Sequence, residues 1–211
     1  TIGGDDNADG DLTEPSPYDD WNIFLRSGSH DIEFENADFS YSDDVLYFYK
    51  SDATLRDVFI SYVGYGIGVD QGDLILERVD ISDTFSDALA GYNNSKIFVS
   101  DSIVKDIWSG DAIGLYDNTE LLFVNSSILD ITDGSAIGLY GSHATATNSV
   151  FSGGLDSGIE LYDNWQTGPS TIYLENSLVE NYLWSDLLVC CGSTAKVKKS
   201  VLRNSDYGVE V

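Results

Sequence analysis

DAIGLYDN at Asp111–Asn118, SAIGLYGS at Ser135–Ser142 and SGIELYDN at Ser157–Asn164 are one phrase written three times, about 23 residues apart. Within each copy the apolar residues fall on alternate positions, which is the period of a strand with one face in and one face out. Four residues cannot bury a face alone. A strand that recurs at a fixed long period buries that face only by stacking on its own copies.

Working outward, weaker copies extend the series. Its inward pairs read Leu46/Phe48, Ile67/Val69, Leu89/Gly91, Ile113/Leu115, Ile137/Leu139, Ile159/Leu161, Leu188/Cys190 and Val209/Val211, with Ile23 and Leu25 of WNIFLR as an earlier copy. A second register is anchored on Ala37, Val58, Val79, Ser102, Ser127, Ser149, Ser177 and Ser200. Five before, three before and two after each anchor, every residue is apolar; the Ser127 copy contributes Leu122, Val124 and Leu129. Gly, Asp and Asn cluster between these strands, as turns require. No segment carries a 3.6-residue apolar period. Three short strands per repeat therefore predict one coil of a parallel β-solenoid, each coil about 4.8 Å above the last.

The phrases ENSLVEN, NSSILDITDGSAIGLYGS and SGIELYDN resemble right-handed parallel β-helix repeats of pectate-lyase-like proteins. The resemblance covers residues 21–211. It implies an all-β, single-domain right-handed parallel β-helix of about eight to nine coils, preceded by an acidic leader over residues 1–20. That superfamily includes polysaccharide lyases and hydrolases, epimerases, tailspikes, adhesins and non-catalytic scaffolds, so the fold does not choose a function.

The 211 residues hold 36 acidic and 10 basic side chains, a formal charge of −26. Nucleic acid is excluded as a partner, because phosphate binding needs a Lys/Arg surface. No apolar run approaches the ~20 residues of a membrane-spanning helix, so membrane insertion is not expected. The chain opens on TIGGDDNADGD without a Met, as a mature secreted protein does, which predicts a secreted, extracellular or cell-surface location.

The residue after each phrase strand's second inward position points to solvent, giving Tyr49, Asp70, Tyr92, Tyr116, Tyr140 and Tyr162, with Cys191 next. Two residues earlier stand Tyr47, Gly68, Ala90, Gly114, Gly138 and Glu160. Carboxylates flank this strip: Asp44, Asp87, Asp111 and Asp186 on one side, Asp117 and Asp163 on the other. Tyr faces bordered by carboxylates suit a saccharide, whose C–H groups pack on rings and whose hydroxyls donate to carboxylates. The same Tyr residues equally suit a ladder that only supports the sheet.

A second outward stripe ends in Ile103, Ile128, Val150, Leu178 and Val201, beside Phe98, Phe123 and Tyr173 on the adjoining wall. An exposed apolar stripe marks a contact surface, unless the long connection of the 150s–160s covers it. The chain stops at YGVEV, inside a phrase strand, which predicts end-to-end contact through Val209 and Val211. Identical ends meeting head to tail give an open filament.

Three smaller expectations remain. Asp5, Asn7, Asp9 and Asp11 alternate before and after Gly10 like the start of a calcium loop, with Glu14 in place of the missing twelfth-position ligand, so calcium is the one cofactor suggested. Asn93 and Asn125 head glycosylation sequons. Cys190 and Cys191 are read as a buried thiol and an outward one, or as a vicinal or intermolecular disulfide. Lyase-like and polygalacturonase-like signatures are missing: no Arg or Lys recurs beside an acidic pair in the Tyr wall, and GDD occurs only at Gly4–Asp6. The expected role is a secreted, non-catalytic structural unit or adhesin that self-associates; the alternative is a polysaccharide-binding or polysaccharide-degrading module built on the Tyr/Asp wall.

Overall fold

Inward Ile, Leu and Val at alternate positions need a partner above and below, and in the computed structural model, which describes residues 22–29 and 31–211, they have one. In the coil carrying the first quoted phrase the three strands are Ile113–Tyr116, Glu120–Val124 and Ser127–Ile131. Among the described residues every pairing between strands is parallel and joins one coil to the next. Ile113, Ile137 and Ile159 lie in one column, as do Leu115, Leu139 and Leu161. These six are fully buried, each contributing about 1.5–3 kcal/mol of burial.

Among the described residues the middle strands form an eight-stranded sheet, one strand per coil. The other two walls join into a fifteen-stranded sheet, because Asp38–Tyr49 and Phe59–Asp70 run unbroken round the corner between them. No helix among the described residues is long and apolar enough to cross a membrane.

Polar ladders hold the corners. The residue before each anchor (Asn36, Asp57, Arg78, Asp101, Asn125, Asn148, Asn176 and Lys199) has a φ of 51–55°. Asn and Asp tolerate this left-handed region better than other side chains, which explains their recurrence. Just inside stand the anchors. The Ser102, Ser126, Ser149, Ser177 and Ser200 hydroxyls each accept the backbone N–H of the anchor one coil earlier, at 3.0–3.4 Å. Each donates to a carbonyl two residues back. A buried turn thereby satisfies its own polar groups, and the core stays dry.

Two registers differ from the sequence reading. The anchor of the fifth coil is Ser126, not Ser127. Leu121, Phe123 and Ile128 therefore point inward and are buried, while Leu122, Val124 and Leu129 point out. Ile128 is core, and Ser127 takes its place in the outward stripe. What remains contiguous is Val150, Leu178 and Val201, with Ile103 alone above Ser127. Near the C-terminal end Leu187 and Val189 continue the inward columns, not Leu188 and Cys190. Asp186 is consequently buried rather than flanking the Tyr wall, and burial pushes its carboxyl up to about 6.

The long connection does not cover the stripe. It turns at Asn164–Gly168, leaves Trp165 exposed, and ties back to the Tyr corner where Asn164 Nδ2 donates to Asp117 Oδ1 at 2.8 Å. Cys190 and Cys191 are joined to each other in a vicinal disulfide, so neither is a free thiol. Val209 pairs in register with Leu187 and is 55% exposed; Val211 is exposed. The calcium-loop residues Asp5, Asn7, Asp9, Asp11 and Glu14, with the whole leader, lie outside the described residues.

Candidate functional site

The phrase wall is where the expected site residues meet, and its geometry follows from the outward alternation. Tyr92, Tyr116, Tyr140 and Tyr162 stack with ring centroids 5.2, 4.9 and 5.6 Å apart and planes within 10°. Their spacing is that of the coils, so each ring covers the face of the next. The wall is therefore no flat platform. Inside the stack only edges and hydroxyls reach outward, and the hydroxyls lean over the Gly114 and Gly138 floor toward the Asp column. A Cβ at Gly138 would sit 2.9 Å from Tyr140 and closer still to the Asp111 carboxyl, which is why that strip is glycine.

Asp87 and Asp111 stand one coil apart. The Asp111 backbone N–H donates to Asp87 Oδ1 at 3.0 Å. Asp111 accepts from the Ser135 backbone and hydroxyl and from the Tyr140 hydroxyl. Burial raises the Asp111 carboxyl, and those donors oppose the rise. Asp87 has fewer donors, so burial and then the Asp111 charge push it up to about 6. Glu160, one coil beyond Gly138, is pushed to about 7 by burial and by Asp156.

Three expected members lie apart. Tyr49 pairs in register with Asp70, not with another ring, and Lys50 Nζ sits 5.0 Å over it. Asp117 is taken up by Asn164, and Asp163 is exposed at the long connection. Asn93 donates to Asp70 at 2.9 Å; Asn125 accepts from Asn148 and donates to Asp101 within the corner ladder.

The break in the Tyr column makes the site. Where the next ring above Tyr92 would lie, the chain has Asp70, with Gly68 beside it. Two coils up, Tyr47 stacks on Phe24 at 5.0 Å and 12°. Tyr92 thus has one face on Tyr116 and Tyr47 has one face on Phe24, and both rings line the same opening. This cleft is about 420 Å³ and is lined by Phe24, Tyr47, Tyr65, Tyr92, Asp44 and Asp87 over a floor of Gly66, Gly68 and Ala90. Asp44, raised by burial and by Asp43, and Asp87 bring two carboxyls to its rim. Burial first and Asp87 second push the Tyr92 hydroxyl up to about 12, so it remains a donor at any ordinary pH. Phe24 and Tyr65 were missed in the sequence; Phe24 stands between Ile23 and Leu25 on the outward alternation, whereas Tyr65 shares the parity of inward Ile67 and is nevertheless exposed.

Among the described residues no three His, Cys, Asp or Glu converge to hold a metal ion. The arrangement instead offers two uncovered aromatic faces, rim carboxyls and phenolic hydroxyls.

Fold and site together define a right-handed parallel β-helix with an aromatic cleft in one wall. Residues 65–211 match the family described as the right handed beta helix region, and the chain belongs to it. No curated protein matches the sequence. Among solved structures, the chain is similar to a periplasmic alginate epimerase at 9% identity, covering 89% of this chain and 63% of that one with a TM-score of 0.41. It is similar to the catalytic domain of a GH87 α-1,3-glucanase in complex with tetrasaccharides at 7% identity, covering 90% and 64%, with a TM-score of 0.28. A second such domain, in complex with nigerose, gives 8%, 90%, 62% and 0.30. The chain therefore spans less than two thirds of the length of each of these proteins.

Proposed function

We propose that this protein is an extracellular, non-catalytic β-helix of adhesin type that binds a neutral polysaccharide in the cleft between Tyr47 and Tyr92. One observation carries the reading: the aromatic ladder lacks a ring at Gly68/Asp70, leaving a cleft lined by Tyr47 and Tyr92 beside Asp44 and Asp87. A pyranose presents flat C–H faces to rings and hydroxyls to carboxyls. The formal charge of −26 repels polyuronates and sulfated glycans, so the ligand is uncharged. The vicinal disulfide supports an oxidising, extracellular compartment.

Screening neutral and anionic oligosaccharides by calorimetry tests this. Binding of a neutral glycan is expected, weakened at least tenfold by Tyr47→Ala and by Tyr92→Ala and unchanged by Trp165→Ala on the distant connection. No neutral ligand, or a ligand indifferent to both Tyr changes, defeats the proposal.

A second reading rests on Asp87. Its carboxyl, held near 6, stands two coils from Asp44, about 9.6 Å by coil spacing. That approaches the ~6.5–9.5 Å between the two carboxyls of inverting glycosidases. Release of reducing sugar from the bound glycan, abolished by Asp87→Asn without loss of binding, would make the cleft catalytic.

A further inference from the structure

The eight-stranded wall carries a feature that the cleft does not use. Its outward central column reads Ile75, Phe98, Leu122, Thr145, Tyr173 and Lys196, one residue per coil in unbroken register. Along it runs a groove of about 680 Å³. Leu122 is 41% exposed there, and Phe98, Thr145 and Tyr173 are half-buried. A mostly apolar column about 24 Å long, six coils at ~4.8 Å, with Leu122 exposed at its centre, offers a contact surface.

The charges beside the column indicate which partner. On one side run Asp73, Lys96, Glu120, His143, Thr171 and Thr194. On the other run Glu77, Ser100, Val124, Thr147, Glu175 and Lys198. A two-fold axis lying in the plane of the wall, perpendicular to the solenoid, reverses the coil order and keeps each column opposite itself. Centred between Leu122 and Thr145, it sets Phe98 against Tyr173 and Leu122 against Thr145. In the flanking columns it sets Glu77 against Lys198, Glu120 against His143 and Lys96 against Thr171. No like charges meet. The alternative axis, parallel to the solenoid, would put Lys196 on Lys196 and Asp73 on Glu77, which like-charge repulsion disfavours.

We propose that this wall binds a second copy of the same chain, antiparallel and face to face, to give a two-fold dimer. Lys198, which already binds Glu175 at 2.7 Å in its own chain, reaches Glu77 of the other copy, itself held by Arg56 Nε at 2.8 Å within that copy, and Phe98 stacks beside the other Tyr173. The contact is small. Six coils of five-residue strands present a face of about 24 by 16 Å, roughly 380 Å² per copy and below the size of stable specific interfaces, so a weak, transient dimer with a dissociation constant on the order of 100–500 µM is expected. This dimer is independent of the cleft, which lies on a different wall.

Sedimentation equilibrium from about 10 µM to 1 mM, in ~0.15 M salt to screen the net charge, reads it out. A monomer–dimer equilibrium is expected. Lys198→Glu alone and Glu77→Lys alone should each weaken it at least tenfold. An equimolar mixture of those two variants should restore it, because in the mixed dimer both ionic contacts pair opposite charges again. Phe98→Asp should abolish it, with far-ultraviolet circular dichroism confirming the fold. A chain that stays monomeric to 1 mM overturns the proposal, as it would if the groove served a foreign partner. So does a dimer indifferent to Phe98→Asp, or one that mixing does not restore.

Discussion

The Tyr140 hydroxyl donates to Asp111 Oδ2 at 3.1 Å, from the coil below, across the glycine floor. The same carboxyl takes both Ser135 donors through its other oxygen. Asp111 is only 8% exposed, so its charge depends on these bonds. Tyr140→Phe keeps the ring stack and removes one donor. The expected loss is about 1–2 kcal/mol, read as a lower urea midpoint with unchanged slope. An unchanged midpoint would mean that water replaces the phenol.

The serine ladder makes a sharper comparison. Ser126 and Ser127 are neighbours of identical chemistry, but only the Ser126 hydroxyl accepts the Ser102 N–H and donates to Val124 inside the corner. Ser126→Ala leaves that N–H unsatisfied in a dry environment and should cost about 1–3 kcal/mol. Ser127→Ala, on the half-exposed outer face, should stay within about 0.5 kcal/mol of wild type. Thermal or urea unfolding of the pair separates the two registers directly.

Gly68 tests the cleft without removing a ring. A Cβ there would lie 2.5 Å from Tyr47 Cδ2 and 2.8 Å from Cε2, so Gly68→Ala must push the Tyr47 ring from its stack on Phe24. Stability should fall by about 1–3 kcal/mol. Affinity for the neutral glycan should fall at least tenfold, measured by calorimetry, because the Tyr47 face turns out of line with Tyr92.

Acid should stabilise this protein between pH 8 and pH 5. Burial raises Asp87 from 3.8 to about 6 and Glu160 from 4.5 to about 7 in the folded state. The folded chain then holds protons that the unfolded chain has released, so stability is greatest with both groups protonated and declines as pH rises through about 4 to 7. The two shifts together amount to about 2–4 kcal/mol between pH 5 and pH 8. Denaturant midpoints across that range should fall with pH in wild type. In Asp87→Asn combined with Glu160→Gln the slope should flatten. An unchanged slope in the double variant would place the sensitivity elsewhere.

How much of this was legible beforehand depends on how local the signal is. The inward columns at Ile113, Ile137 and Ile159 follow from a two-residue period inside each strand and a fixed period between strands, and both are written in the chain. The Ser126 register is nearly written too. Asn125 belongs to the left-handed corner series that immediately precedes every anchor, and that series separates Ser126 from Ser127. The apolar pairs Leu121/Leu122 and Ile128/Leu129 fit either register, which is why hydrophobicity alone misplaced Ile128. Asp70 in the Tyr column was visible as an irregularity, but not as a site.

The amino-acid sequence by itself determined the solenoid, its three walls, its parallel coils and most of its core, the registers at Ser126 and Leu187 excepted. An alternating strand repeated every two dozen residues has no other way to bury its apolar face. Only the tertiary structure decided that the tyrosines cover one another's faces, that Phe24 stacks on Tyr47 one coil away, and that the cysteines join each other. These depend on ring tilt and on coil-to-coil offsets of a single residue. Such offsets are set by neighbours some twenty-four positions away, and no local pattern records them.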